Sequence, residues 1–218
     1  MSLPTLRQRK KDDTRRMISD VARKLFAQHG FDAVTVNDIA AAAGIAKMTV
    51  FNYFARKEEL FFDRNEEARQ VLDRVIAGRR KGESVLDLLQ RAAHQLARER
   101  HVFATFTRGV STFWRAVEAS DALQAYVREI RGDAEMTIAE LIARETGGRQ
   151  IDPTARLLAG IFVTGWQTAY NEAIRRQRAG ASAEKAKRVF LTVVDQAFVA
   201  SAAVAAGTPY AQRARNDL

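Results

Sequence analysis

Thr35-Val36-Asn37-Asp38-Ile39-Ala40-Ala41-Ala42-Ala43-Gly44-Ile45-Ala46-Lys47-Met48-Thr49-Val50-Phe51-Asn52-Tyr53-Phe54-Ala55-Arg56-Lys57-Glu58-Glu59-Leu60 decides the fold of this 218-residue chain. Thr35 is an N-cap by type, and Asp38 three positions on completes a shortened capping box. Ile39 and Ala43 then fall on one helical face. Gly44 supplies the left-handed residue that stops a helix, and Ile45 is the apolar plug of the turn. In the next helix Val50 and Phe54, spaced i, i+4, face inward. Thr49 and Tyr53 share that spacing on another face, and Lys47 and Met48 lie on the leading turn. The small residues Ala40 to Ala43 let the two helices cross closely. Such a pair is a helix-turn-helix, whose second helix enters the major groove of DNA. Outward hydroxyls and a lysine there can donate to phosphates or base edges. The pattern alone leaves a plain helical hairpin open, with Phe51 and Tyr53 as core.

The flanks favour the first reading. Upstream, Ile18, Val21, Ala22, Leu25 and Phe26 form a one-faced stripe that ends at Gly30 with Phe31 beyond it, a helix C-terminal signature. Downstream, Lys57 to Phe62 opens another amphipathic helix. The basic segment Arg7-Gln8-Arg9-Lys10-Lys11 is expected to precede the first helix. It is either an arm that follows phosphates or enters the minor groove, or a loose solubilising tail.

These residues resemble the TetR family of transcriptional repressors. The match is carried by Leu25-Phe26, Gly30-Phe31, Thr35, Ile39-Ala40, Ala43-Gly44-Ile45, Thr49-Val50-Phe51, Tyr53-Phe54, Arg56-Lys57-Glu58 and Leu60. It covers about the first third of the chain. The resemblance implies an all-α protein. An N-terminal arm and three-helix helix-turn-helix DNA-binding domain would occupy residues 1–56. A larger helical effector-binding and dimerisation domain would occupy 57–218, with 57–77 as the connecting helix. It further implies a repressor that binds a palindromic double-stranded operator as a homodimer and is released by a small molecule. The expected DNA contacts are Thr35, Lys47, Met48, Thr49, Asn52, Tyr53 and Lys57. Three positions depart from the family pattern. Ala46 stands where a serine commonly caps the reading helix, Met48 replaces a small residue, and Phe51 replaces a tyrosine and loses its phosphate-bonding hydroxyl. Met48 can touch a thymine methyl or pack against the protein.

The chain's formal net charge of +9 suits a polyanionic partner. Residues 1–64 hold 12 Lys/Arg against 8 Asp/Glu, a balance of +4, which leaves +5 for the rest. Charge alone therefore does not locate a binding face. There is no cysteine, which excludes disulfides and thiolate metal sites and fits a cytoplasmic protein. The start is polar and basic, unlike a secretory signal. The apolar runs Leu157 to Trp166 and Ala197 to Gly207 fall short of the roughly 18 residues a membrane span needs, so no membrane partner is expected.

Beyond residue 65 the periodicity predicts helices throughout. Ser84 with Asp87 opens one, His101 to Val117 reads as a looser stretch, and Ser120-Asp121 starts a long helix that Gly147-Gly148 stops. Asp152-Pro153 starts another, running to about Arg178. The last follows Gly180-Ala181-Ser182 and reaches about Ala205. The last two helices are apolar over more than one face, so part of each needs a partner beyond its own bundle. Leu158, Ile161, Gly165, Phe190, Val194 and Phe198 are the expected dimer residues. Relatives enclose an effector between the middle helices. The candidate lining here is Phe103, Phe106, Phe113, Trp114, Trp166, Gln167, Tyr170 and Asn171, suited to an apolar or aromatic small molecule. Plain core packing is the alternative for each aromatic. His94 and His101 would share a helix face only if that helix continued, and no ligand cluster accompanies them, so no metal or cofactor is expected. Asp195 is either a polar anchor or a solvent-edge residue. The chain has no nucleophile elbow, P-loop, dinucleotide glycine motif or His-Glu-x-x-His pair. Glu58 and Glu59, being adjacent, point to different faces. No catalytic residue is predicted.

Overall fold

Capping chemistry sets most of the element boundaries in the computed structural model, which describes residues 6–63, 74–148 and 150–211. Among the described residues every regular element is a helix, and there is no strand. The helices are α1 (Leu6–His29), α2 (Val36–Ala43), α3 (Lys47–Phe51), α4 (Lys57–Phe61), α5 (Val85–Arg98), α6 (Arg108–Glu118), α7 (Asp121–Glu145), α8 (Pro153–Arg178) and α9 (Ala183–Ala205). Ser84, Asp152 and Ser182 each accept the backbone N–H three residues on, and Pro153 sits at the first turn of α8. These starts agree with the predicted ones.

The described residues divide into two units. One takes in those of 1–71 and 116–126, the other those of 72–115 and 127–211. We call them the head and the body. In the head, Ile18, Ala22, Ile39, Val50, Phe54 and Leu60 are each at most 2% exposed. The rings of Phe26, Phe31 and Phe61 meet with centroids 5.1–5.9 Å apart. Ser120 donates to Asp32 Oδ1 at 2.8 Å, and the Phe62 and Tyr126 rings lie 5.4 Å apart.

The body buries Val85, Leu86, Leu89, Ile138, Ile142 and Leu158 in one cluster with Tyr210. Its most extensively packed helix pair, α8 with α9, is drawn together at Gly165. A Cβ built there would lie 2.2 Å from the Ala197 Cβ. At the body's edge Glu145 accepts the Val85 N–H at 2.7 Å and pairs with Arg79. Burial pushes its carboxyl above the usual range despite those contacts. Arg91 grips both oxygens of Glu83 at 2.6 and 2.8 Å, which holds that carboxyl at about 2.

Several expectations need correction. The basic segment Arg7–Lys11 does not precede the first helix; it forms its opening turns, since α1 starts at Leu6. The stretch from His101 is a 3₁₀ turn, Val102–Ala104, followed by α6. α5 ends at Arg98, so His94 and His101 share no helix face. His94 instead meets Asp195 Oδ1 at 2.8 Å, an oxygen that also accepts from Gln90 at 2.8 Å. Asp195 is thus an anchor between α5 and α9. The run Ala197 to Gly207 continues the apolar helix α9, whose 18-residue window has a mean hydropathy of 1.5, a length and composition that core helices of soluble proteins share with membrane spans. Of the expected connecting helix, 57–61 is helical as α4 and 74–77 is helical, while 64–73 lie outside the described residues.

Candidate nucleic-acid interface

The reading helix is held from behind and open in front. Thr35 and Asp38 form a full reciprocal capping box. The Thr35 hydroxyl accepts the Asp38 N–H at 3.2 Å and donates to its carboxylate at 2.7 Å, and the Thr35 N–H donates to the same oxygen at 2.8 Å. These bonds hold the Asp38 carboxyl below its ordinary value. Gly44, at φ +66°, ends α2, and the N–H of Ile45 returns to the Ala40 carbonyl at 3.0 Å. The turn so fixed delivers α3. Val50 is fully buried on its inner side and Phe54 follows at 1% exposure. Ala46 makes no side-chain cap, forgoing about 0.5–2 kcal/mol.

Its outer side carries the expected contacts. Lys47, Met48 and Asn52 are exposed, and Thr49 and Tyr53 are half-buried at the rim. Thr49, Asn52 and Tyr53 line one open depression of about 450 Å³ together with Lys10, Lys11 and Thr14 of α1. Lys10 and Lys11 belong to the basic segment expected to be either a phosphate-following arm or a loose tail, while Thr14 was not anticipated, yet a signal for this face exists. Lys10, Thr14 and Ile18 repeat at i, i+4, so the face that carries the core stripe continues outward into basic residues. Two ammonium groups, three hydroxyls and an amide there converge on a concave surface open to solvent. Such a set can bond phosphate oxygens and base edges.

Arg15 stiffens this surface. It donates to the Tyr53 carbonyl at 2.8 Å, pairs with Asp63 at 2.8 Å, and lies 4.3 Å over the Phe54 ring. Lys57 is placed differently from the other expected contacts. Its ammonium donates to the carbonyls of Phe31 and Val34, each at 3.0 Å, and sits 4.1 Å from the Phe31 ring. Thr35, exposed at the start of α2, has its hydroxyl engaged in the cap. Both residues serve the architecture behind the reading helix.

In the body, four of the expected effector residues come together. Phe106, Trp166 and Tyr170 surround Phe190 at ring distances of 5.4, 5.0 and 6.4 Å, and Trp114 meets Tyr170 at 5.6 Å. Burial pushes the Tyr170 phenol up, against the opposing pull of a hydrogen bond from Trp114. Phe113 packs edge-on to Trp114, Phe103 pairs with the His101 ring, Gln167 is half-buried, and Asn171 is exposed outside this cluster. The cluster is ring against ring, which is why core and pocket wall look alike in sequence. Of the expected dimer residues, Leu158, Phe190 and Val194 are 0, 0 and 2% exposed within their own chain. They face its core rather than a second copy, which is a correction. Ile161, Gly165 and Phe198 are half-buried, and Leu157 and Val199, not expected, stand 53% and 67% exposed.

Comparison with known proteins gives the family. Residues 18–63 match the family model described as bacterial regulatory proteins, tetR family. MftR of Mycobacterium tuberculosis, whose name assigns it to transcriptional regulation of mycofactocin biosynthesis, is 30% identical over 77% of this chain and 83% of its own length. A helix-turn-helix-type transcriptional repressor of the same organism is 42% identical over 22% of this chain and 26% of its own. A crystal structure of a tetR-family transcriptional regulator from Streptomyces coelicolor aligns over 89% of this chain and 82% of that one, at 20% identity and a TM-score of 0.44.

Proposed function

The chain belongs to the tetR family of bacterial regulatory proteins and is a DNA-binding transcriptional regulator, not an enzyme, and from that premise we propose that it is a ligand-released repressor acting as a homodimer on a palindromic operator in the cytoplasm. The observation that carries this reading is the depression lined by Lys10, Lys11, Thr14, Thr49, Asn52 and Tyr53. It joins phosphate-binding cations to the exposed edge of a helix narrow enough for the major groove. Lys47 and Met48 extend that edge. In this assignment Lys10, Lys11 and Lys47 meet phosphates, and Thr49, Asn52 and Tyr53 meet bases or the sugar-phosphate rim.

Dimerisation is supported by α9, whose apolar 18-residue window is only 22% buried. Leu157 and Val199 add exposed apolar area on the last two helices. A homodimer on a palindrome needs its two reading helices about 34–36 Å apart, or a multiple of that. Effector release is supported by the aromatic cluster around Phe190, which offers an apolar ligand flat walls and a buried phenol. A ligand that parts those rings would act through the connecting segment, whose start is tied to the head by Lys57 and by Arg15 through Asp63. A coupling of about 1–3 kcal/mol lowers operator affinity 5–150-fold.

The test is selection of bound duplexes from a random pool by the full-length protein. The expected product is one palindrome, preferred over random DNA by roughly 10³-fold or more. A pool that returns no enriched sequence, or only single half-sites, overturns the proposal.

A further inference from the structure

Met48 and Phe51 stand three residues apart, on one face of α3, and are 68% and 38% exposed. On the opposite side of the same short helix Val50 is wholly buried. The exposed pair is therefore not spare core: the helix has an inner apolar face already filled and an outer one that meets solvent. Phe51 carries no hydrogen-bonding group and Met48 only a weakly accepting sulfur. What this ledge can recognise is apolar. Lys47 adjoins it, its Nζ 5.8 Å from the Phe51 ring, and Lys10 and Lys11 line the neighbouring depression. Cations beside an apolar ledge fit a partner that is anionic in its backbone and apolar at one point on its surface. In the major groove that point is the C5-methyl of thymine, the apolar feature on an otherwise polar set of base edges.

We infer that Met48, backed by Phe51, reads a thymine methyl in each half-site, so that the operator carries a T·A pair facing the first turn of α3. The thioether is flexible and polarisable, so it adapts to a methyl without demanding one rigid approach. This specificity rests on the assignment of α3 to the major groove, and it names a base where that assignment names only a surface.

The experiment starts from the duplex enriched by random-pool selection and replaces its thymines one at a time by deoxyuridine, which removes only the methyl. Enzymatically made duplexes carry no methylcytosine, so a preference measured on them belongs to thymine. For the wild-type protein one symmetry-related thymine per half-site should be sensitive, its replacement weakening binding by about fourfold, as expected for one buried methyl. Met48→Ala should bind thymine and deoxyuridine duplexes equally, and Met48→Leu should restore the preference. Because Met48 is so exposed, circular dichroism of both variants should match the parent. Equal wild-type binding to every deoxyuridine duplex overturns the inference, as does a preference that survives in Met48→Ala, and both leave the regulator assignment standing. Failure to enrich any duplex removes both.

Discussion

The head and the body solve opposite problems with the same kind of element. In the head, the three short helices α2, α3 and α4 accompany the longer α1 and are fixed by local devices: a capping box, a left-handed glycine and side chains that grip backbone carbonyls. This lets a five-residue helix keep one side open to solvent. In the body, longer helices such as α5 and α8, of 14 and 26 residues, hold each other by ring and aliphatic packing, and polar groups work at the edges. A surface that must be exposed to function cannot be stabilised by being covered, so its order comes from behind. A region whose task is to enclose or to pair can rely on burial.

The sharpest way to break this contrast is to empty the head's core. Phe54→Ala should cost roughly 3–5 kcal/mol, seen in far-ultraviolet circular dichroism. Both tryptophans of the chain, Trp114 and Trp166, lie in the body, so their fluorescence transition should stay where it is. A tryptophan transition that moves with the circular dichroism would show that the two units unfold as one. Lys57→Ala comes next. It strips two carbonyls of a charged donor and should lower head stability by about 1.5–3 kcal/mol with the salt dependence of DNA binding unchanged. If melting is unaffected and the salt slope falls by about one unit, Lys57 belongs to the phosphate contacts instead. Replacing Lys10 and Lys11 by alanine should do the converse. Stability should hold, while the slope of log affinity against log salt becomes shallower by about two units.

Acid sharpens the contrast from the other side. The Glu83 carboxyl is depressed from 4.5 to about 2 by Arg91, and Glu172 is held at about 2 by Arg175 and Arg176. A depressed carboxyl stabilises the folded state above its ordinary value, and that contribution is lost as pH falls from about 4.5 towards 2. Tryptophan fluorescence should report body destabilisation across this window. Glu83→Gln should flatten the pH dependence there; an unaltered acid profile removes Glu83 from the account. The smallest expected effect is a gain. Ala46→Ser supplies the cap that α3 lacks and should raise head stability by roughly 0.5–1 kcal/mol; no rise in the melting temperature would mean that α3 is limited by something other than its cap.

Legibility in sequence follows the same division. Thr35, Asp38 and Gly44 announce themselves because their roles depend on neighbours within a few positions, and so do Ser84, Asp152 and Ser182. The fold class and the exposed edge from Lys47 to Asn52 were readable for that reason. Lys57 was not, since carbonyls 23 and 26 residues away decide what its ammonium does. The inward turn of Leu158, Phe190 and Val194 was hidden because an apolar helix face does not say which neighbour it meets. Asp195 shows the limit well: its partners Gln90 and His94 are about a hundred residues distant.

Gly165 sets a dimension. With only a hydrogen atom at position 165, α8 leaves room for the Ala197 side chain of α9, and any larger residue at 165 has to push the two apart. That gap sets how the two helices that carry the exposed Leu157 and Val199 lie against each other. Widening it by one methyl would shift both helices before a partner ever touched them, so tolerance for mutation at this site should be among the lowest on the body.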